Sequence, residues 1–480
     1  MSVELEPVIG LEIHVQLATV TKMFCGCELS FGAPANTHTC PVCLGLPGSL
    51  PVVNAAAIHF GLMIGLALGC ELAPRSIFHR KHYFYPDLPK GYQISQYDEP
   101  LCRGGALAGV AIHRVHLEED AAKLIHLGTS GRIHGSQGSV VDFNRGGTPL
   151  VEIVTEPDLR SPAHAREWLE LLHATLRALG VSDVNMSEGS LRADANVSLR
   201  PVGSETLGTK TELKNMNSFR FLERGIAAEI ERQRAIVEAG EEVVQETLHF
   251  DPATGAISSL RSKEEAQDYR DFPEPDLVPI AITEDMLASA RAAMSELPAA
   301  RAERFERELG LPAERARQLG FRGDLGDFYE RALAADGEHP VVLANWVGGE
   351  LVARLGEGEV SASLVEPAAL ASLVALLVEQ RLSVTAAREV LDVLAAEGGD
   401  PAAVVAARGL GAIEDQDGLA EIVARAIAAD PLAADQVRGG NEKAIGALIG
   451  PIMRETRGRA DGAQLTRLIR EALGVGSGNG

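Results

Sequence analysis

The stretch Val8-Ile-Gly-Leu-Glu-Ile-His-Val-Gln-Leu17 alternates with period two. Leu11, Ile13, Val15 and Leu17 fall on one side and Glu12, His14 and Gln16 on the other, which is the pattern of a strand with one buried face. A solvated sheet face is the ordinary explanation of a single strand of this kind. Here the pattern recurs in four more stretches before residue 215. His116-Leu-Glu-Glu-Asp120 sets His116, Glu118 and Asp120 on one face, with Glu119 opposite. Pro149 to Glu156 places Glu152 inside an otherwise apolar run, where an unpaired carboxylate is costly to bury. Leu191 to Arg200 puts Arg192, Asp194, Asn196, Ser198 and Arg200 on one side, and Thr209 to Asn215 lines up Lys210, Glu212 and Lys214. Five such strands predict an α+β protein whose N-terminal cradle is a curved, mainly antiparallel sheet. Its concave face gathers carboxylates beside imidazole, arginine and lysine.

That mixture has a chemical meaning. Carboxylates with an imidazole can hold Mg²⁺, and Arg192, Lys210 and Lys214 suit nucleotide phosphates. Asp194 and Glu212 stand among them as further candidates. No G-x-G-x-x-G occurs, and Gly203-Ser-Glu-Thr-Leu-Gly-Thr-Lys-Thr211 lacks the lysine that a phosphate-binding loop needs after its last glycine. It reads as a hairpin turn, so an ATP site here is not of the P-loop type.

Four of the six cysteines, Cys25, Cys27, Cys40 and Cys43, follow the spacing C-x-C-x12-C-x2-C. Paired short spacings in a reducing compartment indicate a zinc site, and four thiolates close the coordination sphere, making the zinc structural. His38 stands in the same loop and could replace one thiolate. Cys70 and Cys102 read as small buried residues.

The remaining organisation follows from length and local composition. A chain of 480 residues exceeds one core and suggests two to four domains. The start lacks a basic segment followed by an apolar one, so no signal peptide is expected and the cytoplasm is the expected location. Ala55 to Cys70, the most apolar run, is interrupted by His59 and three glycines and reads as a buried helix. His79 to Gln96 is the densest aromatic and basic stretch, suited to stacking on a base or to a packed surface loop. Ser218 to Glu242 is an amphipathic helix with Phe219, Leu222, Ile226 and Ile230 at helical spacing. The proline-bearing segment Asp268 to Leu277 ends the first domain, residues 1–283. Residues 284–400 read as a helical bundle anchored by Trp346, and Gly398-Gly-Asp-Pro401 leads into a small helical module at 401–480. The net charge of −23 argues against broad wrapping of nucleic acid. Between Arg438 and Arg470, however, seven basic residues (Arg438, Lys443, Arg454, Arg457, Arg459, Arg467, Arg470) face three acidic ones (Glu442, Glu455, Asp461), a local net of +4. A nucleic-acid contact and a solvated helix face both remain open for this module.

Taken together, Val8–Leu17, Tyr83–Gln96, His116–Lys123, Asp142–Pro157, Gly189–Arg200, Lys210–Ser218, Asp268–Leu277 and Gly440–Gly458 closely resemble one family, the B subunits of the tRNA-dependent amidotransferases (GatB). The matching segments run nearly the whole chain in family order. The resemblance implies a cradle domain, a helical domain and a YqeY-like tail that contacts tRNA. It implies a ligase that uses Mg-ATP to phosphorylate the side-chain carboxylate of Glu-tRNA(Gln) or Asp-tRNA(Asn). Ammonia from a GatA-like glutaminase then displaces the phosphate, with a small GatC-like subunit completing the assembly. Carried over by position, Glu12, His14, Glu119 and Glu152 are the implied Mg-binding catalytic set. Alternation alone favours Glu118 over Glu119, and both stand at this point. The cysteine quartet is similar to that of the zinc-bearing branch of the family. Two rival readings are a zinc-ribbon tRNA-binding scaffold without chemistry and a stand-alone carboxylate–amine ligase. Neither accounts for the whole pattern: the first leaves the carboxylate face unexplained, the second the tail.

Overall fold

The computed structural model describes residues 4–127, 136–262, 272–335, 337–356, 358, 360–411, 416–456, 459–460 and 462–475. Asp268 to Asp271 of the domain-ending segment, and Arg457 and Asp461 of the basic module, lie outside the described residues. The chain forms two compact units, Met1–Leu297 and Pro298–Gly480.

The first unit is built on a ten-stranded sheet, antiparallel except for one parallel pair. Its centre is the strand Leu5–Gln16, flanked by Pro149–Thr155 on one side and Leu191–Pro201 on the other, both antiparallel. Beyond these lie Val110–Glu119 and Thr211–Met216 respectively. Each of the five alternating stretches is therefore a strand, and together they occupy adjacent places in one sheet. Leu11, Ile13 and Val15 are buried, while Glu12, His14 and Gln16 are partly accessible on the opposite face. The apolar face is covered by two helices, Pro162–Ala178 and Phe219–Glu238, which pack together. The side chains of Ser161 and Ser218 cap them, accepting the His164 and Phe221 backbone N–H groups. Leu222, Ile226 and Ile230 supply the buried stripe of the second helix.

The near-Walker segment is the connection between Leu191–Pro201 and Thr211–Met216, as its turn residues suggest. A Cβ on Gly208 would overlap the Leu199 carbonyl oxygen, so that glycine serves a close backbone approach. The apolar run at 55 becomes the helix Ala55–Ala67, with Asn54 as its N-cap. Gly65 lets it pack closely, because a Cβ there would sit 2.7 Å from the Cys102 sulfur. Among the described residues no helix is long and apolar enough to cross a membrane.

The boundary expected at residue 283 falls later. The helix Glu284–Ala293 packs on Ala55–Ala67 and belongs to the first unit, which runs to Leu297. The second unit is helical among its described residues and holds two separate apolar cores. One gathers buried side chains from Phe305 to Leu410, the other from Leu419 to Leu473. The first of these cores closes with Leu410 and the second opens with Leu419. Trp346 is 6% exposed within the first core but shares its anchoring role with Phe305, Phe328 and Tyr329.

Ile13 is fully buried at the centre of the sheet, so Ile13→Ala is expected to destabilise the first unit by about 2–5 kcal/mol. Val202 is 55% exposed, and Val202→Ala should change stability by less than about 0.5 kcal/mol. Denaturant unfolding of the two variants, followed by near-ultraviolet circular dichroism, measures the difference. Equal effects would show that the central strand is not the packed core of the unit.

Candidate functional site

Register decides which polar side chains meet. His14 stands opposite Glu152 on one neighbouring strand and opposite Arg192 on the other. Glu152 in turn stands opposite His116, and Leu150 opposite Glu118. One sheet face thus carries His116, Glu118, Glu152, His14 and Arg192 in a continuous row across four strands. His14 Nε2 lies 3.6 Å from Glu152 Oε2 and 3.8 Å from Glu118 Oε1. His116 Nε2 lies 3.3 Å from Glu152 Oε2 and 3.9 Å from Glu118 Oε2. Arg114 approaches Glu152 at 3.9 Å, and the Ser95 hydroxyl donates to Glu118 at 3.2 Å. Donor atoms of His14, Glu118 and Glu152 lie within 4.8 Å of one another, a spacing that can hold a metal ion.

The two carboxylates are 3% and 8% exposed, so their charge must be matched locally. Burial alone would lower the His14 pKa. Its contacts with Glu152 and Glu118 outweigh that and hold the imidazole up at about 9. Burial likewise opposes ionisation of Glu152, but His116 and His14 keep its carboxyl well below the usual range. The cluster is a place where positive charge is strongly favoured.

His14, Glu118 and Glu152 line a cleft of about 280 Å³ together with Lys81, Tyr83, Leu88, Gln93, Asp120, Ala121, Leu150, Arg192, Asp194 and Lys214. Lys214 Nζ is bracketed by Asp194 at 2.8 Å and Glu212 at 2.7 Å. Burial acts to lower its pKa, yet the two carboxylates raise it overall. Glu212 also accepts a hydrogen bond from Thr247 at 3.1 Å.

The other expected site residues take different places. Glu12 shares the polar face and accepts from Asn196 Nδ2 at 2.9 Å, but lies outside the three-residue ligand group. Lys210 precedes its strand and is exposed. Glu119 points away from the cleft, as strand alternation requires: its Oε1 accepts from the Ile94 N–H at 3.0 Å and from Lys90 Nζ. No bulge intervenes between Leu150–Glu118 and Pro149–Glu119, so nothing re-aims it. Of the two neighbouring acids, Glu118 faces the cleft and Glu119, the position carried over from the family resemblance, does not. Part of the aromatic stretch also turns inward. Tyr83 lines the cleft, whereas Arg80 stacks over Tyr92 at 4.3 Å and binds Glu274 through both of its forks at 2.6 and 2.7 Å. The cleft contributions of Lys81, Tyr83, Leu88 and Gln93 carried no periodic signal in the sequence.

Cys25, Cys27, Cys40 and Cys43 converge, their sulfurs within 4.8 Å of one another. The Cys40 N–H donates to the Cys43 sulfur at 3.2 Å. A hydrogen bond from Cys25 is the main cause that pushes the Cys43 thiol down to about 4, with help from the Cys40 N–H and the Lys22 charge. His38 is not in the group; its Nδ1 pairs with the Glu28 carbonyl oxygen at 2.9 Å. Four converging thiols fit a closed metal site.

Comparison with known proteins agrees with this architecture. Residues 7–288 match the family described as the GatB/GatE catalytic domain, and residues 327–473 match the GatB domain. Three similar proteins are named as B subunits of aspartyl/glutamyl-tRNA(Asn/Gln) amidotransferase. The one from Thermomicrobium roseum is 50% identical, covering 98% of this chain and 99% of the relative. That from Frankia casuarinae is 49% identical over 98% of this chain and 96% of its own length. That from Persephonella marina is 45% identical over 98% and 100%. With one domain match spanning more than half of the sequence and relatives aligned from end to end, the chain belongs to the GatB family, the B subunits of aspartyl/glutamyl-tRNA(Asn/Gln) amidotransferases.

Proposed function

We propose that the chain is the activating and amidating component of a tRNA-dependent amidotransferase, working in the cytoplasm on tRNA misacylated with aspartate or glutamate. The observation that supports this best is the convergence of His14, Glu118 and Glu152 in a cleft that also holds Arg192 and Lys214. In the reaction, a side-chain carboxylate oxygen of the aminoacyl group attacks the γ-phosphorus of ATP, and the bond from that phosphorus to ADP breaks. Ammonia then attacks the acyl carbon, phosphate leaves, and the nitrogen gives up a proton to yield the amide.

The donor set suits a small, hard cation, since two carboxylates and an imidazole converge where positive charge is favoured. A Mg²⁺ bound there by His14, Glu118 and Glu152 would neutralise charge on the nucleotide phosphates. Glu12, on the same polar face as His14, orients Asn196 beside this site. Arg192 presents a guanidinium to phosphoryl oxygens. Lys214 keeps a cation at the cleft edge, fixed by Asp194 and Glu212. Tyr83 and Gln93 add to the lining of the cleft from the aromatic stretch.

Zinc is the proposed occupant of the cysteine quartet, with a bracing role only. The nitrogen source is a GatA-like glutaminase partner, joined by a GatC-like small subunit, and the tail module is proposed to contact tRNA. A scaffold without chemistry is disfavoured by the cleft itself. A surface built only to bind phosphates would not bury Glu118, Glu152 and Asp194 on the same face.

Three outcomes follow. In the assembled complex supplied with ammonium chloride, Glu118→Gln or His14→Ala should lower ATP-dependent amide formation by about 100-fold or more, by analogy with loss of a metal ligand or its support. Glutaminase turnover in the partner should persist. Near-normal amidation by either variant at saturating ATP would remove these residues from the site. Cys27→Ser should lose bound zinc, measured by elemental analysis, and lower the melting temperature of the first unit, while the protein that remains folded keeps its amidation rate. Finally, a chain ending at residue 411, which retains the Phe305–Leu410 core, should show a raised KM for charged tRNA with the KM for ATP unchanged. Parallel increases in both would mean that the tail only supports folding.

A further inference from the structure

Behind Arg192 sits a buried acid that the family resemblance leaves without a role. Asp120 follows the strand Val110–Glu119 directly and is 4% exposed. Its Oδ2 accepts from Gln16 Nε2 at 2.8 Å and from Arg192 Nη2 at 2.9 Å, and Arg145 Nε lies 3.7 Å away. Its Oδ1 accepts from the Ala121 N–H at 3.0 Å. Its backbone is also pinned, the N–H donating to Thr148 O at 2.9 Å and the carbonyl accepting from Gly147 at 2.8 Å. Arg145 is itself held by the Ala121 and Ala122 carbonyls at 2.9 and 2.8 Å. Asp120 therefore has one available geometry, fixed on every side.

Arg192 is not fixed on every side. It lines the cleft, and its Nε–H is buried with no hydrogen-bond partner. A guanidinium carries five N–H donors in one plane, and Asp120 engages only the Nη2 end. That nitrogen is enclosed, so the donors offered to the cleft are those at the end of the guanidinium that Asp120 leaves unbound. Two other acids, Glu118 and Asp194, also attract this guanidinium. Without Asp120 the side chain would be drawn across the cleft onto them, neutralising itself on the proposed metal ligand.

We propose that Asp120, supported by Gln16, is a positioning residue: it holds the guanidinium plane of Arg192 so that the end donors it leaves unbound meet the oxygens of the phosphoryl group in transfer. The inference rests on the phosphoryl-transfer reading above. The charge of that group spreads over its equatorial oxygens during transfer, so it needs a cation that the cleft has not already neutralised. Lys214 stands between two carboxylates, whereas Arg192 pairs with one and keeps end donors unbound.

The test is a double-mutant cycle in the assembled complex, with ammonium chloride as nitrogen source and charged tRNA as substrate. Arg192→Gln is expected to lower kcat for amidation by about 100-fold. Asp120→Asn should lower it about 10- to 100-fold, with the KM for charged tRNA changed less than about threefold. The double variant should be no slower than Arg192→Gln, because Asp120 acts only through that arginine. If Asp120→Asn does not fold, Gln16→Leu frees one bond on Asp120 while leaving every charge in place, and the same cycle is run with it. Losses that multiply in the double variant overturn the inference, as does an Asp120→Asn effect confined to the yield of folded protein. Failure of the phosphoryl-transfer reading looks different: the unmodified complex would then lack ATP hydrolysis stimulated by charged tRNA.

Discussion

Two carboxylates buried side by side cannot both stay ionised unless positive charge stands against them. Around Glu118 and Glu152 stand His14 from one strand and His116 and Arg114 from another, far apart in the chain. The requirement reaches back into the fold. His14 meets Glu152 only in the observed register of the central strand, and a slip by one residue would turn its whole polar row into the apolar core. Burial of Leu11, Ile13 and Val15 therefore does more than stabilise the sheet. It locks the register that assembles the charge cluster on the other face.

That coupling explains why the opening strand was readable. Alternation is a local signal, and it assigned faces correctly for all five strands, including Glu118 inward and Glu119 outward. Where the family position and the alternation disagreed, the uninterrupted ladder between the strands bearing Glu118 and Glu152 sided with alternation. Long-range partners were beyond such reading. Asp120 finds Gln16 and Arg192 across 104 and 72 positions, and Lys90 finds Glu119 from a loop with no periodic pattern. The extent of the first compact unit was hidden for a related reason. The helix Glu284–Ala293 has the composition of the helical region that follows it, and only its packing on Ala55–Ala67 assigns it to the first unit.

The cysteine loop and the cleft divide their tasks by chemistry. Soft thiolates enclose a closed site, whereas the harder carboxylate and imidazole donors line an open cleft. Between them run Lys90 and Glu119, bonded to each other and lining a small cavity with Cys25, Cys43 and Lys22. The Cys43 thiol is thus close enough to the Lys22 ammonium for that charge to favour the thiolate. The cysteine loop and the strand Val110–Glu119 are linked by the ion pair of Lys90 with Glu119, on the face of that strand turned away from the cleft.

Charge also limits how the basic module can act. Counting residues gives it a net of +4, but several of its cations are already engaged. Arg438 pairs with Asp435 at 2.7 Å, Arg467 reaches Glu471 at 4.0 Å, and Arg470 bonds Glu442. Among the described residues Lys443 and Arg454 form no ion pair and are exposed or partly so. Exposed pairs are weak and exchange readily for phosphate contacts, at a cost of about 0–1 kcal/mol each. The module can therefore contribute a few phosphate contacts, not the broad positive surface that non-specific RNA binding requires. In a chain of net −23, recognition of a tRNA would then depend on shape and on the reacting end as much as on charge. This agrees with a cleft in which Arg192 and Lys214 are held by specific acids instead of being spread over a basic face.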